Sequence, residues 1–222
     1  MLADALLVAG KDLRVELRSR VTTNQVAPFA VLVLLLFGFA LDADKPVLDR
    51  TTPGLFWLTV LFSALLATQR AFAVEAADGG RDALRLSGLA PHGIFLGKAI
   101  AIAVELLALE AVLLVGVAVL YGTHIEGLGL LLVTCLAATA GLAACGCLYG
   151  ALAAGLRVRD TLLPLLLLPV VAPVLIASTR AFEAALGLAG VSGWAWVNLL
   201  VVFAVVYAGL GVACFGPVLE ET

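Results

Sequence analysis

The sequence has little charge and no stretch with the composition of a soluble domain. Charged residues make up 13% of its 222 residues, hydrophobic residues 63%, and the mean hydropathy is +1.15. A soluble domain is roughly half apolar and a quarter charged. This chain cannot bury its apolar surface in one water-soluble core, so the composition predicts an all-α polytopic membrane protein. A basic stripe is also missing, which excludes nucleic acid as a partner.

Motifs that carry chemistry are absent as well. The four cysteines show neither zinc nor haem-attachment spacing. The sequence contains no Ser/His/Asp set and no glycine-rich P-loop, so the chain cannot hydrolyse ATP by itself. We therefore predict no catalytic residue, no metal site and no cofactor bound by this chain. Its first apolar run, 5–9, is too short for a signal peptide.

Long apolar runs dominate what is present. A membrane-spanning helix needs roughly 20 mostly apolar residues, and apolar blocks this long are helices rather than barrel strands. On this basis the sequence predicts six spans. The fifth has two alternative ends, one near residue 177 and one past Arg180. The six spans cover about 26–41, 55–73, 95–121, 128–156, 161–177 and 194–215.

The basic residues predict how these spans are oriented. Six spans place both termini on one side, and ten of the 13 Lys and Arg residues fall on that side. Basic loops remain in the cytoplasm, so both termini are predicted to be cytoplasmic. The ten are Lys11, Arg14, Arg18, Arg20, Arg70, Arg81, Arg85, Lys98, Arg157 and Arg159, and the other three are Lys45, Arg50 and Arg180.

Residues 2–24 precede the first span and have an amphipathic pattern. Leu2, Leu6, Leu13, Leu17 and Val21 fall near one helical face, whereas the basic residues fall on another. Such a pattern favours a helix lying in the membrane interface. The alternative is a simple extension of the first span into water.

Two later spans have unusual compositions. The fourth is rich in small residues and contains the pair Gly146 and Gly150, which allows close helix approach either between subunits or within one chain. The fifth contains Pro164, Pro169 and Pro173, and each proline invites a kink. Such breaks mark moving parts in some membrane helices and are purely structural in others.

Charged side chains also occur within the third span. A carboxylate near the bilayer centre costs roughly 2.5–3.5 kcal/mol, so Glu105 and Glu110 are functional candidates. Five residues apart, they point about 140° away from each other around the helix. Lys98 shares the face of Glu105, and a pair between these two is the structural alternative.

A short charged segment separates the second and third spans. It runs from Arg70 to Pro91, with a Gly79–Gly80 break, and offers a cytoplasmic docking surface between two membrane helices. Its charged interior residues are Glu75, Asp78, Arg81, Asp82 and Arg85.

This segment and its surroundings resemble the CcmB family of haem exporter proteins. The resemblance rests on Pro53–Gly54 before the second span, on Arg70 and Phe72 at its end, on Asp78–Gly79, and on Lys98. The proline-spaced run LLPVVAPVLIAST at 167–179 and the six-span layout agree with it. One departure is Ala73–Val74, where the family pattern places a further acidic residue before Glu75.

The resemblance implies an ABC-2-type permease of the bacterial inner membrane that serves cytochrome c maturation. Residues 75–92 would form the coupling segment for a CcmA-like ATPase, which would bind ATP and Mg²⁺. A CcmC-like haem-handling protein, a CcmD-like small subunit, a CcmE-like haem chaperone and a second copy of the chain would be partners, with haem in the complex. The implied coupling residues are Arg70, Phe72, Glu75, Asp78, Gly79, Arg81, Asp82, Arg85, Leu86 and Pro91.

Other functions are compatible with parts of the pattern. An ABC-2 permease for a lipid, drug or glycan would show the same spans. An ion-coupled carrier would use Glu105 and Glu110, but it would also need an internal repeat that the sequence does not show. A plain membrane anchor would not need carboxylates inside a span.

Overall fold

The computed structural model describes residues 2–19, 26–40, 45–76, 88–123, 125–154, 159–188 and 192–221. Throughout these ranges the regular structure is α-helical, as the composition predicts. The helices are α1 (Leu2–Ser19), α2 (Ala27–Ala40), α3 (Lys45–Ala76), α4 (Pro91–Leu120), α5 (Leu128–Ala154), α6 (Arg159–Ala185) and α7 (Gly193–Glu221).

Five of the described helices, α3 to α7, are long and apolar enough to cross a membrane. The prediction of an all-α polytopic membrane protein is thereby confirmed. The predicted first span corresponds to α2, which has 14 residues. At 1.5 Å per residue α2 is about 21 Å long, shorter than a hydrocarbon core of about 30 Å. That the chain has six spans, rather than five, therefore stays a prediction.

Helix α3 begins ten residues earlier than the predicted second span. The sequence predicts a loop up to Pro53, but the helix already starts at Lys45, with Pro53 inside it. Pro46 is tolerated because the first helical turn needs no backbone donor. The hydroxyl groups of Thr51 and Thr52 donate to the carbonyl groups of Val47 and Leu48, at 2.9 and 2.7 Å.

Helix α6 continues past the predicted end of the fifth span and past Arg180. Its last turn is held by an ion pair of 2.7 Å between Arg180 and Glu183. The helix ends at Ala185, where Gly187 adopts a positive φ of 73° and the amides of Glu126 and Gly127 donate to the carbonyl of Ala185. Glycine is favoured in this left-handed position after a helix. The connection between α6 and α7 is therefore shorter than the stretch 178–193 left between the predicted fifth and sixth spans.

The three prolines of the fifth span all lie inside α6, which is continuous from Arg159 to Ala185. Each proline removes one backbone donor from the helical ladder. The kinks attributed to Pro164, Pro169 and Pro173 stay a prediction.

Helix α5 is central in the bundle and contacts α3, α4, α6 and α7. Its small residues make this possible. A Cβ atom at Gly150 would lie 2.5 Å from the Phe72 ring of α3, and one at Gly146 would lie 2.7 Å from the Thr68 hydroxyl oxygen. Of the two alternatives for this glycine pair, the structure therefore shows packing within the chain.

The ends of the bundle are assembled by different interactions. At the end where α2 stops and α3 starts, the Tyr121 hydroxyl donates to the carbonyl of Leu34 at 2.6 Å, and the Phe56 ring packs edge-on against Trp57 and Phe182. At the opposite end, α1 lies against α4 and brings charged groups to the bundle.

Candidate functional site

Contact between α1 and α4 depends on a glycine. A Cβ atom at Gly97 would lie 2.6 Å from the carbonyl oxygen of Ala5 and 2.6 Å from Cβ of Val8. Ala5, Val8 and Ala9 form the buried stripe of α1. Small residues on both helices thus let the two backbones approach closely, as in membrane helix pairs. This contact fixes the position of the next residue in α4, Lys98.

Lys98 is a buried ammonium group that joins three helices. Its side chain is 1% exposed, and Nζ lies 3.4 Å from Oδ2 of Asp12 on α1. The same Nζ lies 3.5 Å from the carbonyl oxygen of Ala71 and 5.1 Å from the centre of the Phe72 ring, both on α3. A buried ammonium is tolerated when it has an opposite charge and further polar or aromatic contacts.

A second ion pair ties α1 to α3. Nε of Arg70 lies 3.1 Å from Oε2 of Glu16, and neither side chain is more than one third exposed. Asp12 also forms an ion pair with Lys11, whose Nζ lies 3.0 Å from Oδ1. Asp12 and Glu16, one turn apart on α1, therefore hold the end of α3 and the start of α4 through separate basic partners.

A cleft opens between α1, α3 and α4 beside these pairs. It encloses about 490 Å³ of empty space, including a part open to solvent. A smaller hollow of about 200 Å³ lies deeper, and Ala67 and Glu105 line both. The wall therefore changes from charged at the mouth to apolar inside. The residues around the mouth are Lys11, Asp12, Val15, Glu16, Ala67, Arg70, Ala71, Lys98, Ala101, Ile102 and Glu105.

Glu105 faces this cleft but is not the partner of Lys98. The pairing considered from sequence is wrong because α1 brings Asp12 to Lys98. Among the described residues no basic group lies within 4.0 Å of the Glu105 carboxylate; Arg70 is the cation that acts on it at longer range. The span thus places a carboxyl group in a partly open cleft, where water can reach it.

Glu110 lies on another face of α4, as the 140° separation predicts. It is fully buried against α5, where the Thr139 hydroxyl donates to Oε1 and the Cys135 thiol lies beside the carboxyl group. Oε2 has no conventional hydrogen bond among the described residues. The residue joins α4 to α5 inside the bundle and is separated from the charged cleft.

Replacing Thr139 with valine is expected to destabilise the protein by about 1–2 kcal/mol, because the buried Glu110 carboxyl group loses its donor. Glu110→Gln should cost less than about 1 kcal/mol, since the amide oxygen still accepts this hydrogen bond. Thermal unfolding in detergent would compare both variants. If Glu110→Gln were the more damaging change, the acid itself would have a role beyond packing.

The predicted coupling segment is described only at its borders. Arg70 and Phe72 lie near the end of α3, and Pro91 begins α4, where the carbonyl of Ala90 accepts the amides of Gly93 and Ile94. Glu75 lies in the last turn of α3. Asp78, Gly79, Arg81, Asp82, Arg85 and Leu86 lie outside the described residues.

Sequence reasoning identified the basic members of this cluster and missed Asp12 and Glu16 as their partners. A usable signal was present. Positions 5, 8, 12 and 16 recur every three to four residues, so Asp12 and Glu16 continue the buried stripe of one helical face. Within the described ranges, no group of three or more His, Cys, Asp or Glu side chains could hold a metal ion.

Comparison with known proteins gives the family of this chain. The family model described as CcmB protein matches residues 3–220, which includes all seven helices almost entirely. The chain belongs to the CcmB family. Three relatives align over 80% or more of both chains. Heme exporter protein B of Haemophilus influenzae is 32% identical over 181 residues, 81% of each chain.

Two further relatives cover most of both chains. Heme exporter protein B of Pseudomonas aeruginosa is 27% identical over 218 residues, 93% of each chain. Heme exporter protein B of Paracoccus denitrificans is 31% identical over 186 residues, 80% of each chain. The CcmB family resemblance inferred from the sequence is confirmed, and with it a multi-pass membrane protein.

Proposed function

We propose that this chain is the membrane subunit of an ABC-type haem export complex that serves cytochrome c maturation. The observation that carries this proposal is the CcmB family match over residues 3–220. The named relatives are haem exporter proteins, and each aligns over most of its length. The chain has no nucleotide-binding motif of its own. It therefore acts as a non-catalytic permease whose energy comes from a separate ATPase.

Its fold is proposed to be an ABC-2-type permease with six spans in the bacterial inner membrane. Helix α2 supplies the first span. Both termini face the cytoplasm, because ten of the 13 basic residues then lie on that side. The paired charges of α1, α3 and α4 lie at this same end of the bundle.

Mechanical coupling is proposed to enter through residues 75–92. This segment joins α3 to α4, and Lys98 and Arg70 link both helices to α1. A force from the ATPase would therefore move the ends of three helices together rather than bending one loop. The Gly150 contact with Phe72 passes the displacement from α3 to the central helix α5.

The proposed partners supply the functions that this chain does not carry out itself. A CcmA-like ATPase binds ATP and Mg²⁺, a CcmC-like protein handles haem, and a CcmD-like subunit and a CcmE-like haem chaperone complete the complex. A second copy of the chain is also proposed. The role of this chain is to couple ATP hydrolysis to haem delivery or to release of the loaded chaperone.

Deleting the gene is expected to abolish mature c-type cytochromes, and the intact chain should restore them. Haem-stained membrane proteins provide the measurement, with a b-type cytochrome as the control. An ATPase should co-purify with the tagged chain. Normal c-type cytochromes in the deletion strain would contradict the proposal and favour a permease for another cargo.

Charge reversal in the coupling segment is expected to uncouple the complex. Replacing Glu75 and Asp78 with lysine together should lower ATPase capture by about thirtyfold, if each contact contributes roughly 1 kcal/mol, and c-type cytochrome levels should fall with it. The matched control is Glu126→Lys, an exposed acid at the other end of the bundle. Correct insertion is checked by membrane fractionation. Unchanged capture and maturation in the double variant would remove the coupling role.

A further inference from the structure

Glu105 has open space in front of its carboxylate instead of a basic partner. It lines both the cleft between α1, α3 and α4 and the deeper hollow of about 200 Å³. The basic residues of the cleft that are described with ion pairs form them with Asp12 and Glu16. Because a carboxylate within a span is costly, a counter-charge supplied from outside the chain would stabilise it.

The charges around Glu105 favour a positive ligand. Those that act on it at longer range are the acidic Glu16 and Asp12 and the basic Arg70. Two negative charges and one positive charge leave the carboxylate in a field that is negative overall. A cation entering the cleft is therefore attracted to Glu105, and an anion is repelled.

The hollow beside Glu105 presents a second acceptor, the Ser63 hydroxyl oxygen. This hydroxyl already donates its hydrogen to the carbonyl of Thr59 at 2.8 Å, so towards the hollow it can only accept a hydrogen bond. A ligand that fills the hollow must therefore carry donors. The remaining side chains around the hollow are apolar: Val26, Ala67, Leu106 and Leu109.

This combination suits an organic amine better than a metal ion. Mg²⁺ and Ca²⁺ require about six or more oxygen ligands. The described side chains around the hollow offer one carboxylate and one hydroxyl group. A primary ammonium group has N–H donors for both acceptors, and the carbon chain attached to it can contact the apolar wall.

We propose that Glu105 and Ser63 form a binding site for a primary ammonium group that enters through the cleft between α1, α3 and α4. The ammonium donates to the Glu105 carboxylate and to the Ser63 hydroxyl oxygen. A quaternary ammonium has the same charge but no N–H group, so it leaves both acceptors unsatisfied. Two sources carry the required group, a soluble alkylamine and the headgroup of phosphatidylethanolamine, and the test distinguishes them.

The test measures how an amine protects a cysteine placed in the wall of the site. Ala67, which lines both cavities, is replaced with cysteine in the full-length chain, and exposed Cys214 is replaced with serine; the other three cysteines are buried. The chain is reconstituted in phosphatidylcholine and labelled with methyl methanethiosulfonate, a small neutral thiol reagent. Mass spectrometry gives the labelling rate, and the parent without Ala67→Cys gives the background.

Butylammonium is expected to slow this labelling at least about fivefold at a concentration of about four times its Kd, because about one fifth of the sites are then free. Tetramethylammonium at the same concentration and ionic strength should protect much less. Glu105→Gln should abolish the protection. Val15→Cys is the matched control, since Val15 lines the mouth of the cleft but not the hollow, and butylammonium should leave its labelling rate unchanged.

The lipid arm repeats the labelling in phosphatidylethanolamine without added amine. Slower labelling than in phosphatidylcholine, lost in Glu105→Gln, assigns the site to the lipid headgroup. Equal rates in the two lipids, with protection by butylammonium in both, assign it to a soluble amine. If Ala67→Cys does not fold, Ala71→Cys on the same cleft wall takes its place.

Three results would overturn the proposal. They are no protection by either source of primary ammonium, protection that persists in Glu105→Gln, and equal protection by tetramethylammonium. The measurement uses the chain without an ATPase or haem, so its result does not depend on the proposed transport function.

Discussion

Replacing Asp12 with leucine is expected to destabilise the folded bundle by about 3 kcal/mol, because the buried Lys98 ammonium loses its carboxylate partner. The Ala71 carbonyl group and the Phe72 ring remain, so the effect falls at the lower end of the range for broken buried pairs. Thermal unfolding can be followed by a thiol dye that reacts with the buried cysteines as they become exposed. A shift of the midpoint by about 6 °C or more is expected.

Two further variants identify the cause. Lys98→Met in the Asp12→Leu background removes the buried ammonium that has lost its ion pair with Asp12, and it should restore stability to within about 1 kcal/mol of the parent. Lys11→Met is the matched control, because Lys11 has the same partner at 3.0 Å but an exposed side chain. Its loss should cost less than about 1 kcal/mol. A double variant no more stable than Asp12→Leu would show that packing, rather than charge, determines stability here.

Replacing Gly97 with alanine is expected to destabilise the protein by about 2 kcal/mol and to release α1 from α4. The added methyl group would lie 2.6 Å from the backbone oxygen of Ala5, which no side-chain rotation can relieve. Overpacking of this kind costs about 1–3 kcal/mol. Trypsin cleavage at Arg14 and Arg18 would measure the release, since both sites lie on α1.

Gly10→Ala provides a control with the opposite sign. Gly10 is in α1, and nothing lies within 4 Å of the position that its Cβ would occupy. Alanine should therefore stabilise the helix by about 0.5–1 kcal/mol through its higher helix propensity. If both alanine variants behaved alike, close contact at Gly97 would not be what holds α1 in place.

The close contact at Gly97 and the ion pair of Lys98 with Asp12 also affect the proposed coupling. Gly97 positions Lys98, and Lys98 links α1 to α3 and α4 at the two ends of the coupling segment. Variants that release α1 should therefore weaken coupling even when the ATPase still binds. The structural and functional roles separate because the coupling-segment variants leave these contacts in place.

Helix type and approximate position were predictable from the sequence because lipid imposes a simple rule. A backbone in hydrocarbon must satisfy its own hydrogen bonds, so a long apolar run becomes a helix. The third and fourth predicted spans match α4 and α5 closely for this reason. The start of α3 and the end of α6 were harder to predict, because proline is expected to interrupt a helix. Pro46 lies in a first turn that needs no backbone donor, and α6 continues past Pro173.

The charged cluster could be predicted only in part. Lys98, Glu105 and Glu110 stand out because a charge within a span is costly. Spacing along one helix suggested that Lys98 and Glu105 pair, but spacing carries no information about a helix 86 residues away in sequence, and that distance separates Lys98 from Asp12.

The sequence by itself determined that this chain is a helical membrane protein of the CcmB family, because hydropathy and local motifs are properties of short segments. The tertiary structure decided which charges meet. It turned Asp12 and Glu16 inward onto Lys98 and Arg70, and placed Gly146 and Gly150 against α3. These outcomes depend on how closely helices distant in sequence approach, which small residues on both partners set together.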